Sequence, residues 1–209
     1  MGRRALLNRR RRRRRPRLLA GTAVGLVAAA AGPFAWYHAL TFDDGGPTAD
    51  ALLLLDDEPE TIAAAARLVA DHPGRVVYPL TRSPRQVESL GIVPTSAERI
   101  GGGLEAAGVA PDGYRVLTGV SERPEEMIAA ADGELRAAGV VNVTALSTAT
   151  HSRFWRSILD DVLSPRRAAA YRMRPIEDPD IAAHNWFTDR IAAKKFVSRT
   201  LRLIWTTTR

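Results

Sequence analysis

The pattern of apolar and polar positions divides the chain into an uncharged run, a short break and a long alternating body. From Leu18 to Phe42 there is no charged residue. Leu18 to Tyr37 alone is 20 residues, which as a helix spans roughly 30 Å, the thickness of a bilayer's hydrocarbon core. Asp43 to Thr48 (Asp-Asp-Gly-Gly-Pro-Thr) then reads as a linker, rich in turn residues and without apolar periodicity. From Ala49 onward, short apolar runs alternate with longer stretches at helical spacing.

The runs predict strands at Ala51 to Leu55, Arg75 to Leu80, Tyr114 to Thr118 and Val140 to Leu146, with a short fifth at Ala168 to Met173. Helices are predicted between them. The first starts at Asp57 as N-cap and ends at Pro73-Gly74. The second opens on the capping box Thr95-Ser96-Ala97-Glu98 and ends near Gly108; the third is capped by Ser121 and ends at Gly139. Thr150 to Leu163 places Phe154, Trp155, Ile158, Leu159 and Val162 on one face. Ile181 to Trp205 is a long closing helix. Strand–helix alternation with short connections predicts an α/β fold: a doubly wound, Rossmann-like three-layer sandwich with a mainly parallel sheet of about five strands, preceded by one N-terminal transmembrane helix. The organisation expected is a basic tail at 1–17, a transmembrane helix or signal anchor at 18–42, a linker at 43–48 and the α/β domain at 49–209.

Charge sharpens the first part of this picture. Ten arginines precede position 18 with no acid among them, which leaves the body 20 Lys+Arg against 23 Asp+Glu. A nucleic-acid binder carries its basic surface on the fold, so no nucleic-acid partner is expected. Positive charge beside a span is retained in the cytoplasm, which places the N-terminus inside and the domain outside the cell membrane. Phe34, Trp36 and Tyr37 fall where the span would leave the bilayer, a position that favours amphipathic aromatics. The lipid bilayer is thus the partner expected for residues 18–42. A cleaved signal peptide ending near Ala29-Ala30-Ala31 is the rival reading, and it also exports the domain. A buried core helix is the third, which the flanking arginines disfavour. There is no cysteine, so disulfides, thiolate nucleophiles and cysteine zinc sites are excluded.

In doubly wound folds, ligands bind beyond the carboxyl ends of the strands, where strand order reverses. The turns to inspect are therefore Asp56-Asp57, Leu80-Thr81-Arg82, Thr118 to Ser121 and Ser147 to His151. His151 falls at a predicted helix N-terminus beside Ser147, Thr148 and Thr150, where free backbone N–H groups favour an anion such as phosphate or carboxylate. A histidine there can donate to the anion or act as acid/base; it can also be a plain capping residue. Arg153 and Arg156 would add charge to an anion site, or simply face water. Asp56 and Asp57 would bind a ribose hydroxyl or a metal, but the simpler expectation is that Asp57 caps the helix and Asp56 is solvated. Gly101-Gly102-Gly103 is not a phosphate loop, since no Lys-Ser/Thr follows it. Glu177, Asp178, Asp180 and His184 match no cage spacing, so no metal is assigned, and no cofactor follows from the sequence. The closing helix carries Arg190, Lys194, Lys195, Arg199 and Arg202 among apolar residues. It either packs on the sheet with its charges in water or lies on a membrane surface.

Two passages resemble the SanA/YdcF-like domain, a bacterial envelope family that is often membrane-anchored. One is Ala145-Leu146-Ser147-Thr148-Ala149-Thr150-His151, similar to that family's strand ending in small hydroxyl residues followed by histidine. The other is Gly108-Val109-Ala110-Pro111, a strand, then Ser121, with Glu126 matching an acid of the family. The resemblance covers roughly Ala49 to Trp205. Taken with the strand-end reading, the ligand contacts expected are Asp56, Asp57, Thr118, Ser121, Glu126, Ser147, Thr148 and Arg153, and the resemblance implies an anionic or nucleotide-like small ligand. The family's glycine-rich first turn is replaced by Asp56-Asp57-Glu58-Pro59-Glu60, its Ser-Gly after the second strand by Pro79-Leu80-Thr81, and its arginine three residues after the histidine by Phe154. The expectation is a degenerate, non-catalytic envelope protein that binds a ligand or partner. The alternative is an enzyme acting on a phosphate- or nucleotide-containing envelope precursor, with His151 as the catalytic acid/base.

Overall fold

The structure is a computed structural model and describes residue 32 and residues 34–118, 121–179, 181 and 186–207. Five parallel strands form one sheet: β1 (Ala51–Leu54), β2 (Val76–Thr81), β3 (Leu117–Thr118), β4 (Val143–Thr148) and β5 (Tyr171–Ile176), in the order β3-β2-β1-β4-β5. The chain winds outward from β1 to β3, returns, and winds the other way through β4 and β5. Strand order therefore reverses between β1 and β4, which pair in register from Ala51 with Val143 to Leu54 with Leu146.

Alternation along each strand sorts the core onto two faces. Ala51, Leu53, Tyr78, Leu80 and Ala145 meet α4 (Pro124–Ala137) and α5 (Ala149–Val162) on one side. Leu52, Leu54, Val77 and Leu146 meet α1 (Pro59–Asp71) and α3 (Ser96–Ala106) on the other. Both faces of β1 are dry, which is why its sequence is an unbroken apolar run. Two short helices, α2 (Gln86–Ser89) and α6 (Pro165–Ala168), sit in connections, and α7 (Arg190–Thr207) closes the fold against α5. An α/β architecture with a parallel sheet covered on both sides is thus the observed fold.

Several predicted boundaries move for identifiable reasons. The capping box of α3 forms as read: Thr95 Oγ1 accepts from Glu98 N, and the Glu98 carboxylate accepts from Thr95 N. The backbone and side chain of Thr95 hold the Glu98 carboxyl below its ordinary range. The helix ends at Ala106, and Gly108 follows it with φ +90°, a left-handed conformation suited to glycine. Asp57 does not cap α1. That position falls to Glu58, which makes no side-chain capping bond, while Pro59 starts the helix at a site where its missing N–H is harmless. β4 runs two residues further than read, through Ser147 and Thr148, because their polar groups find partners at its end. β3 is reduced to two residues, with Tyr114 joined to Val77 only by an isolated bridge. The closing helix starts at Arg190, where Asp189 Oδ1 accepts from the amides of Ile191 and Ala192.

Residues 43–48 lack regular structure, as their turn residues require, but they are tied down along β5. Asp44 N donates to Met173 O, and its carboxylate accepts from Met173 N. Most of the expected transmembrane segment, 18–31 and 33, lies outside the described residues, as does the basic tail. Residues 34–40 are helical, with Tyr37 and Leu40 buried against Ala149, Ile181, Ala192 and Phe196. Among the described residues no helix is long and apolar enough to cross a membrane.

Candidate functional site: the switch point between β1 and β4

Asp56 follows β1 and Ser147, Thr148 and His151 follow β4, so the strand reversal brings them together. The Asp56 side chain is 8% exposed and His151 is 9%. Oδ2 of Asp56 accepts from Ser147 Oγ at 2.6 Å, from the Thr148 amide at 2.9 Å and from Thr148 Oγ1 at 3.3 Å. Oδ1 accepts from His151 Nδ1 at 2.8 Å and from Trp155 Nε1 at 3.0 Å. Because an ionised carboxylate offers only acceptors, Nδ1 of His151 carries the proton in this contact. Burial works to raise the Asp56 pKa. The attraction of the His151 imidazole and the bonds from His151, Ser147 and Trp155 outweigh it and hold the carboxyl far below its ordinary range.

The helix N-terminus attracts an anion, as the sequence implies, and the chain supplies that anion itself. The carboxylate of Asp56 sits on the Thr148 amide that opens α5, where a phosphate or carboxylate would otherwise be received. The expectation that Asp56 is solvated is corrected by this: its five bonds make burial of the charge tolerable. One atom of the cluster is left over. Nε2 of His151 is buried and has no hydrogen-bond partner among the described residues, and the ring stacks on Phe154 at 4.8 Å between centroids.

The mouth of the crevice is closed by α7. Arg199, 8% exposed, donates to Thr150 Oγ1 at 2.6 Å, to Asp178 at 2.8 Å and to Glu58 at 3.3 Å. Glu58 stands at the N-terminus of α1 and Thr150 in the first turn of α5, so one guanidinium bridges the two helix starts that flank the reversal. Burial pushes the Glu58 carboxyl up, against the pull of Lys195 and Arg199.

The other residues expected to bind are placed elsewhere. Asp57 is half exposed and pairs with Arg99 of α3 at 2.5 Å. Thr118 ends β3, two strands away from β1. Ser121 Oγ accepts from Arg123 N, and Glu126 pairs with Arg123 at 2.9 Å on the surface. Arg153 is exposed, donates to Thr41 O and lies over the Phe42 ring. Arg156 is taken up by Asp160 and Asp44. Trp155 and Arg199 belong to the site and were not singled out as its members. Trp155 lies one turn beyond His151 on the same helix face, a spacing that carries the signal. Arg199 had none beyond being one of five basic residues in the closing helix.

A cleft of about 480 Å³ lies at the opposite, amino-terminal end of the strands, lined by Asp50, Tyr78 and Asn142 among others, and shares no residue with this cluster. Among the described residues no group of three His, Asp or Glu side chains is arranged to hold a metal. No protein-family model, curated protein or solved structure matches the chain.

Proposed function

We propose that the chain is a membrane-tethered, Rossmann-like domain displayed on the extracytoplasmic side, serving cell-envelope maintenance or assembly by holding a partner or ligand rather than by catalysis. The tether rests on the uncharged run after ten arginines. The likeness to SanA/YdcF-like domains at Ser147 to His151 supports the envelope setting. One observation carries the non-catalytic reading: Asp56 occupies the anion seat at the start of α5, and Arg199 bridges the crevice above it. A ligand at this place would have to displace a buried, fully bonded carboxylate, at a cost of several kcal/mol.

A second reading has its own support. Nε2 of His151 is an unpartnered buried nitrogen on a ring whose other nitrogen is held by a carboxylate. That is the arrangement of a general acid/base, and it favours an enzyme acting on a phosphate- or nucleotide-containing precursor once α7 moves aside.

Thermal unfolding of the full chain with phosphate, nucleotides, S-adenosylmethionine and phosphorylated envelope precursors separates the two. A ligand at a hundred times its dissociation constant adds about 2.7 kcal/mol, or roughly 5–10 °C for a chain of this size. The proposal expects either no shift, as for a protein partner, or a shift that His151→Ala leaves in place. A shift that His151→Ala abolishes puts a working ligand site at the strand ends and favours the enzyme reading instead.

A further inference from the structure

The cleft at the amino-terminal end of the sheet gathers polar groups that the fold leaves unused. Its walls are the first residues of β1 and β2 and the turn that leads into β4. Tyr78 lines it and is only 8% exposed, yet its hydroxyl has no hydrogen-bond partner among the described residues. A tyrosine buried to that degree ordinarily has its hydroxyl paired. Asp50 and Asn142 line the cleft too. Both are exposed, and neither side chain takes part in an ion pair or hydrogen bond among the described residues. Val76, Val140 and Val141 supply apolar wall. Gly74 and Gly139 face open space, since a methyl group at either would meet no other atom within 4 Å.

The electrostatics of this edge are the reverse of those at the switch point. α1 ends at Asp71 and α4 at Ala137, so Gly74 and Gly139 follow the carbonyl ends of two helices, the ends that favour positive charge. Asp50 is the one charged side chain on the lining, and no Lys, Arg or His is among the residues that form it. Three arginines bond lining residues without lining the cleft themselves, and each is taken up by protein oxygens. Arg75 donates to the carbonyls of Leu68 and Thr48, and Arg174 donates to Thr48 Oγ1. Arg167 pairs with Asp132 and donates to the carbonyls of Val140 and Val141. An anion in the cleft would meet a carboxylate and two helix carbonyl ends; an ammonium would find the same groups as partners.

We infer that this cleft is a binding site for a small hydroxylated amine, of the size of an amino sugar. Asp50 takes the ammonium, the Tyr78 hydroxyl and the Asn142 carboxamide bond ligand hydroxyls as donor and acceptor, and the valines cover the C–H surface of the ligand. The cleft volume of about 480 Å³ falls within the range of small-molecule sites, about 300–1,000 Å³. The site shares no residue with the Asp56–His151 cluster, so it stands whether or not the crevice between β1 and β4 takes a ligand.

Glucosamine is the probe, with N-acetylglucosamine as the uncharged comparator and glucose phosphate as the anionic one. Backbone amide resonances of the full chain in detergent are followed as each is added up to about 0.1 M, well above a millimolar Kd. The expected result is a saturable shift with glucosamine, centred on Gly74, Val76, Gly139 and Val141, and little response to the comparators. Asp50→Asn should weaken binding by about fivefold. Tyr78→Phe should weaken it by about fivefold as well, with Tm unchanged because that hydroxyl bonds nothing in the fold. Gly74→Leu puts a side chain into the open space and should abolish binding in a chain that still unfolds cooperatively. No saturable shift with glucosamine, or shifts centred away from the cleft, overturns the site. Equal binding of N-acetylglucosamine overturns the assignment to an amine, and tighter binding of glucose phosphate overturns the sign of its charge. A fall in Tm on Tyr78→Phe overturns the reading of that hydroxyl as free for a ligand. None of these variants touches His151, so failure here is distinct from failure of the reading of the switch point.

Discussion

Replacing Asp56 by Asn removes a charge while nearly keeping the shape, and five bonded contacts set the outcome. Oδ2 accepts from Ser147 and from both the amide and hydroxyl of Thr148, and Oδ1 accepts from His151 and Trp155. An amide nitrogen placed at either oxygen turns an acceptor into a donor that faces at least two donors. Summing charge-assisted bonds at about 1.5–3 kcal/mol each would overshoot, because neighbouring bonds are not additive. Breaking a buried charged cluster by altering one member costs about 3–5 kcal/mol, so that is the loss expected at pH 7. At roughly 2–4 °C per kcal/mol this lowers Tm by about 6–20 °C. The pH dependence supplies a second, independent signature. The folded-state pKa of Asp56 lies far below its unfolded value. Its contribution is therefore fully present above the unfolded carboxyl pKa, near pH 4, and is lost as pH falls below that. Urea unfolding of the full chain in detergent, at pH 7 and pH 3, measures both. At pH 3, about one unit below the unfolded pKa, the wild type should have lost about 1 kcal/mol of its lead over Asp56→Asn. A variant within about 1 kcal/mol of wild type at pH 7, with a pH-independent gap, refutes the reading of Asp56 as the clasp between β1 and β4.

Three further outcomes follow from the same geometry. Arg199→Met removes the guanidinium that bonds Thr150, buried Asp178 and Glu58 and should cost about 3–5 kcal/mol; adding Asp178→Asn should recover part of it, and a loss that the second change deepens would contradict the pairing. Thr95→Ala removes the capping box of α3 and should cost about 1 kcal/mol in urea unfolding, with the m-value unchanged. Leu53→Ala empties a fully buried site in the middle of β1 and should cost about 2–5 kcal/mol, whereas the same change at exposed Leu90 should stay within about 0.5 kcal/mol.

The fold was legible where burial and sequence period coincide. β1, with both faces dry, reads as Ala51 to Leu55 without interruption, and the Thr95–Glu98 cap is a local device that tertiary structure leaves intact. β3 was overestimated because Tyr114 to Thr118 has strand composition but little of it pairs with β2. The end of β4 was read two residues short because hydropathy falls at Ser147 and Thr148, and the distant Asp56 makes their burial affordable. The same long-range contact explains the uneven reading of the site. The rule that ligand edges lie at strand reversals picked out Asp56, Ser147, Thr148 and His151, which do converge. Asp57 followed Asp56 into the prediction by adjacency, but at the end of a strand neighbouring side chains diverge, and it pairs with Arg99 instead. Ser121 and Glu126 came from the family likeness, and they serve the local turn before α4. Arg199 could not have been assigned from sequence, since its role depends on where a helix some 50 residues beyond His151 comes to rest.

The central claim is that the chain itself fills the crevice between β1 and β4. Hydrogen exchange of the Trp155 indole N–H and the Thr148 amide in the full chain tests it most directly, since both donate to Asp56 and neither is reachable while Arg199 bridges the mouth. The account predicts that both exchange only at the rate of global unfolding, as fully protected core amides do. Exchange orders of magnitude faster than that of the β1 amides would contradict it, because it would mean that the crevice stands open in solution and that its groups are available to a ligand.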